Sequence, residues 1–167
     1  TVVEPFVRTI EVTGIGRSGS LDITAMLIYL EEGTELDFSY DVRGKVVLLN
    51  RMDFDIWKRL VKSGASAYLL IDGDYYDEPA RVDLKMNYLR DYMLAYGNVP
   101  GLTLRTSDAI EMLRDGATHV KVELEQTEMS LTSRNVVAEI PGTDREDEII
   151  VFTAHYDSVP FSSGAWA

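Results

Sequence analysis

"KVVLLNRMDFDIWKRLVKSGASAYLLI", residues 45–71, decides the fold. Its opening "KVVLLN" is nearly all apolar, the composition of a strand buried on both faces. "DFDIWKRLVKSGA" then places Ile56, Trp57, Leu60 and Val61 on one face at helical spacing, with acidic residues at the start, basic residues later, and Gly64 to stop it. "SAYLLI", 66–71, reads as a second buried strand. Strand, helix and strand joined by tight turns form a right-handed crossover unit, which makes the two strands parallel neighbours and the chain α/β.

Outward from this unit the pattern is less regular. Residues 2–12 and 21–30 are strand-like, and Gly14, Gly16 and Gly19 fall in a turn between them. Downstream, "DGDYYDEPARVD" is acidic and aromatic, and in "LKMNYLRDYMLAYG" Tyr88, Tyr92 and Tyr96 recur at helical spacing, as do Leu89 and Met93. "LTL", 102–104, reads as a short strand, followed by a helix capped by Ser107 or Asp108, with Ile110 and Leu113 inward and Gly116 at its end. The period then changes to two: "HVKVELEQTEMSL" alternates through Val120, Val122 and Leu124, "NVVAEI" repeats the habit, and a turn at Pro141–Asp144 precedes "EIIVFTA". Long antiparallel strands or a hairpin are expected there.

Composition narrows the partners. Sixteen Lys and Arg against twenty-eight Asp and Glu give a net charge of -12, which repels phosphate backbones and anionic lipid surfaces, so neither nucleic acid nor a membrane surface is an expected partner. No apolar run approaches the roughly 20 residues that span a bilayer, and "AMLIYL" breaks at Glu31 and Glu32. The absence of cysteine excludes disulfides and fits a reducing compartment and a bacterial secreted or surface protein equally. The start, "TVVEPFVRTI", carries neither Met nor a leader pattern and reads as part of something longer.

Each chemical motif has a plainer reading beside it. Gly14, Gly16 and Gly19 satisfy G-x-G-x-x-G, but phosphate binding needs a helix next, and "SLDITAMLIYL" is rich in strand formers. Gly44 and Lys45 lack the remaining elements of a phosphate loop. His155, Asp157 and Ser158 are too close in sequence to act as a triad, and no G-x-S-x-G elbow surrounds Ser18 or Ser163. Asp72, Asp74, Asp77 and Glu78 match calcium in ligand type but not in loop spacing, and read as a solvated acidic loop. Tyr75, Tyr76, Tyr88, Tyr92 and Tyr96 offer a substrate or partner surface, or else a cover over the core with hydroxyls outward. His119 opens a strand with no second His or carboxylate at ligand spacing and reads as structural. His155 ends a buried-looking strand, where sites of open α/β sheets gather, and Asp157 is near enough in sequence to orient a metal-bound imidazole.

One longer stretch is recognisable. "SRNVVAEIPGTDREDEIIVFTAHYDSVPFSSGAW", 133–166, resembles the start of the catalytic domain in the zinc exopeptidase family that includes aminopeptidase Y, glutamate carboxypeptidase and the inactive transferrin receptor. In that family N-V-[IV]-A-x-[IL]-P-G leads one strand, an acidic turn follows, and the next strand ends in A-H-Y-D-S. Many members carry an inserted protease-associated domain just before this motif. "DVRGKVVLLNR", "KRLVKSGASAYLLI" and "VPGLTLRTSDAIEML" resemble that insert in order and spacing.

The resemblance implies an α/β (α+β) fold: a protease-associated open β-barrel or sandwich with a βαβ unit and short helices, then strands from a truncated α/β zinc-exopeptidase domain. It divides the chain into 1–12, the end of a preceding peptidase segment, 13–131, the insert, and 132–167, the start of the catalytic domain. It makes His155 a zinc ligand, in an intact parent with two zinc ions and a peptide substrate, and Asp157 the carboxylate that orients it. Where the family next expects G-A-x-D-N, with a bridging aspartate, this sequence reads Gly164, Ala165, Trp166, Ala167. The implied function is a piece of a zinc aminopeptidase, inactive alone, or of a non-catalytic receptor-like relative. Strand 148–154, without its sheet neighbours, is expected to fray, to pair with the insert's own strands or to self-associate.

Overall fold

The computed structural model describes residues 1–72, 89–127, 129–130, 132–145 and 148–155. Thr1–Met129 is one compact unit and Ser130–Ala167 a second.

In the first unit the decisive stretch folds as its pattern predicts. β4 (Val46–Leu49) and β5 (Ala67–Asp72) are parallel, with Val46 beside Ala67 and Leu49 beside Leu70. α1 (Phe54–Ser63) joins them. The Asp53 carboxylate accepts from the Ile56 amide at its start, and Gly64 ends it in the left-handed region that suits glycine. Ile56, Trp57 and Leu60 are buried against the sheet, and Val61 packs partly buried beside them.

Around this pair the sheet has the order β1-β7-β3-β4-β5-β6-β2. The other strands are β1 (Val2–Glu4), β2 (Thr13–Gly14), β3 (Leu21–Tyr29), β6 (Gly101–Arg105) and β7 (His119–Leu124). β3 pairs antiparallel with β7 through Leu21–Met26 and parallel with β4 through Leu27–Tyr29, so one strand bridges the antiparallel and parallel parts of a curled sheet. The chain is therefore mixed α/β.

Alternation along β4 divides the core. Val47 and Leu49 face Trp57, Tyr68, Leu89 and Met93, beneath α1 and α2 (Asp91–Tyr96). Val46 and Leu48 face Leu69, Leu102, Leu104, Val120 and Val122, beneath α3 (Thr106–Arg114). All four β4 side chains have 0% exposure, so a shift of one residue would exchange the two cores.

Three expectations are corrected. Residues 2–12 are not one strand: β1 stops at Glu4, Pro5 has no amide to donate, and the chain folds back so that Val2 and Arg8 exchange backbone hydrogen bonds of 2.8 and 3.1 Å. α3 starts at Thr106 with no side-chain cap, so Ser107 and Asp108 lie inside its first turn. Its buried residues are Ala109 and Met112, and Leu113 packs partly buried against the same core as read, while Ile110 is exposed because the inward stripe is centred on Met112.

The largest correction concerns the second unit. Residues 132–145 and 148–155 form no helix or strand, and Val136, Val137, Ile140 and Ile149–Phe152 are exposed. Their alternation suits a sheet, but a strand exists only with a neighbour to receive its hydrogen bonds. None is paired with them among the described residues.

Two outcomes are expected. A Cβ at Gly101 would run into the ring of buried Tyr68 on the neighbouring strand. Gly101→Ala should therefore destabilise by about 1–3 kcal/mol, read as a lower urea midpoint at unchanged slope. Amide exchange should be strongly protected over His119–Leu124 and near the free-peptide rate over 148–155.

Candidate functional site

His155 follows "EIIVFTA" as predicted, but its imidazole is exposed at the end of an irregular segment. Upstream, a bend at Thr143 and Asp144 leads to an ion pair in which Arg145 Nη1 lies 3.2 Å from both Glu148 oxygens. The Glu148 amide also donates to the Arg145 carbonyl at 3.1 Å. This is the acidic turn of the motif, closed by local charge. Asp157 lies outside the described residues, and among those residues no three His, Asp or Glu side chains gather as a metal would need.

Of the tyrosine surface, Tyr92 is described, and Tyr75, Tyr76 and Tyr88 lie outside the described residues. Tyr92 is 57% exposed on α2 and meets Phe54 edge-on, with ring centroids 5.0 Å apart. Tyr96 meets the same ring at 6.1 Å, and the Lys58 ammonium lies 5.1 Å from its centroid. Lys58 also donates to Asp55, and that hydrogen bond holds the Asp55 carboxyl below its ordinary range. Sequence reasoning missed Phe54 at the centre of this cluster. The usable signal was an aromatic residue in the first turn of α1, off its buried stripe and one turn before a lysine.

The platform is fixed from below. Trp57 Nε1 donates to the Met93 carbonyl at 2.8 Å, tying α1 to α2. The Leu89 amide donates to Gly16 O at 3.0 Å, Asn98 Nδ2 donates to Ser18 O at 3.0 Å, and Arg17 reaches Asp91 at 2.7 Å. The glycine-rich turn thus grips both ends of α2, and the strand that follows it confirms that it does not open a phosphate-binding helix.

His119 is structural, but it does have a carboxylate: Glu4 Oε2 lies 2.9 Å from its Nδ1 across the β1–β7 pair. Sequence spacing hides that partner, since the two residues meet only through strand pairing. Gln126, just beyond β7, donates through Nε2 to Ile15 O at 2.7 Å and accepts from the Gly19 amide at 3.1 Å. The chain therefore enters the unit along β1 and leaves it along the adjacent β7, with Gln126 pinning the exit.

Residues 135–166 match Peptidase family M28. Aminopeptidase YwaD of Bacillus subtilis strain 168 is 28% identical over 149 residues, covering 86% of this chain and 30% of that protein. Such coverage cannot be contained in Ser130–Ala167, so the similarity runs through most of Thr1–Met129 as well. An aminopeptidase from Aneurinibacillus sp. strain AM-1 superposes with a TM-score of 0.50 at 25% identity, over 69% of this chain and 28% of its own. BSAP, a zinc aminopeptidase from Bacillus subtilis, shares the fold with a TM-score of 0.54 at 18% identity, over 70% of this chain and 28% of its own. The chain thus spans under a third of the length of these relatives. The peptidase resemblance read from the sequence is borne out: residues 135–166 match Peptidase family M28, and the chain is similar through most of its length to bacterial aminopeptidases.

Proposed function

We propose that this chain is part of a zinc-dependent aminopeptidase and consists mostly of its protease-associated insert, 13–131, between host segments 1–12 and 132–167. The observation that carries the reading is the M28 match at 135–166, directly after the compact unit Thr1–Met129. In this reading β1 is host chain, and its pairing with β7 carries the host segment along the strand by which the insert ends.

The residues present are tested against zinc by their donor set. An exposed imidazole suits the metal, but zinc takes three or four protein ligands, and no such group occurs among the described residues. In this reading the chain contributes one ligand, His155, oriented by Asp157, and is inactive alone. Bound zinc in the parent supplies a hydroxide near neutral pH and polarises the scissile carbonyl of a peptide substrate. The insert shapes access to the substrate or mediates protein contacts, through Tyr75, Tyr76, Tyr88 and Tyr92. The exposed apolar run Ile149–Phe152 belongs to the host sheet and, without it, promotes self-association.

A second reading is favoured by Ala167, which stands where the family pattern has its bridging aspartate. It makes the parent a non-catalytic, receptor-like relative whose insert is an interaction scaffold.

The test uses the chain and a longer protein containing it. The longer protein should hydrolyse an aminoacyl anilide in a zinc-dependent manner, lose that activity to background on His155→Ala, and lose about 10–100-fold on Asp157→Asn, the range for removing a ligand's orienting partner. The isolated chain should show none. A longer protein that folds and takes up no zinc supports the scaffold. Unchanged kinetics and assembly in Tyr88→Ala/Tyr92→Ala remove the tyrosine surface from the proposal.

A further inference from the structure

Residues 5–12 lie across one side of the first unit with no helix or sheet ladder of their own, joined to β1 by the Val2–Arg8 bridge. Beneath them is a cleft of about 170 Å³. Ile10 and Val12 form one wall, and Leu102, Leu104, Val120 and Val122 from β6 and β7 form the others. We propose that this cleft binds a small, uncharged, apolar molecule the size of a single aromatic ring, with residues 5–12 as its lid.

Size and lining select the ligand. An enclosed apolar cavity of about 150 Å³ takes up benzene or xenon; this cleft is of similar size but partly open, with nine apolar side chains in its lining beside Thr1, Thr9, Lys121 and Glu123. The charges in its lining have partners already: Lys121 Nζ lies 2.6 Å from Glu123 Oε1, and the Thr1 ammonium donates to Lys121 O at 2.9 Å. A charged molecule would lose its hydration there without compensation.

The lid is held from outside by ion pairs. Arg8 Nη1 lies 2.8 Å from Glu111 and 3.5 Å from Asp115, and Glu11 lies 2.8 Å from Arg105. These side chains are partly exposed, so salt screens the pairs, and they can part without breaking a strand of the sheet. The site is independent of the peptidase reading and can fail or stand without it.

The experiment titrates benzene, with benzoate as the charged control, into the full chain while methyl resonances are followed by NMR. Benzene should give saturable shifts confined to Ile10, Val12, Leu102, Leu104, Val120 and Val122, and benzoate none. Val12→Phe, which fills the cleft, should abolish them. Benzene should also raise the unfolding midpoint of the unsubstituted chain, as any ligand of the folded state does, so the test survives if that variant misfolds. Shifts that do not saturate, an equal response to benzoate, shifts retained in a folded Val12→Phe, or an unmoved midpoint would each overturn the site. Arg8→Gln/Glu11→Gln should retain benzene binding and speed amide exchange over residues 6–12; unchanged exchange would overturn the lid.

Discussion

Burial of β4 on both faces is the constraint from which the rest of the first unit follows. Val46, Val47, Leu48 and Leu49 cannot be satisfied by one layer, since alternate side chains point to opposite sides. One side is covered by α1, which carries Ile56, Trp57 and Leu60. The other needs the sheet to curl, bringing Val120 and Val122 of β7 and Met112 of α3 over Val46 and Leu48. β3 makes the curl by changing partners midway, from β7 to β4. Trp57 then ties the first layer together, since its indole N–H satisfies Met93 O and its ring meets Tyr68 edge-on at 5.9 Å.

The curl also brings the ends of the unit together. β1 adds to the free side of β7, so Thr1 and Lys121 exchange backbone bonds, the Lys121 amide reaching Thr1 O at 2.8 Å. Both edge strands are short, β1 with three residues and β2 with two, which leaves little exposed ladder for another chain to extend. Gln126 serves the same closure with a single side chain that both donates and accepts. Its replacement by an apolar residue would leave the Ile15 carbonyl and Gly19 amide without these partners.

What was legible in the sequence is what local physics determines. The run "VVLL", the face Ile56–Trp57–Leu60 and the stop at Gly64 each follow from periodicity and backbone sterics, and all stand in the structure. Residues 2–12 looked like a strand because Val, Ile and Thr suit one, yet Pro5 and the pull of Arg8 toward Glu111 and Asp115 bend the segment away. α3 was placed correctly and Leu113 does face the core, but Ile110 was misread, since it is apolar like Met112 and only the sheet beneath decides between them. The Glu4–His119 pair and the Phe54–Tyr92 contact join residues 115 and 38 positions apart and leave no local signal.

The same distinction separates His155 from its site. A histidine closing an apolar strand, two residues before an aspartate, is a local pattern and can be read from one segment. A zinc centre is not local: three or four donors must converge from separate elements, each held by a packed neighbour. "NVVAEI" and "EIIVFTA" have the alternation of strands, but Ile140 is 95% exposed and Phe152 93%. Alternation is a demand for a partner face, and among the described residues no strand pairs with these two segments. The exposure of those side chains and that of the histidine that follows them therefore have one cause. In the proposed peptidase the strands that would cover Val137 and Ile150 would also aim His155, so the sheet and the metal site would form together.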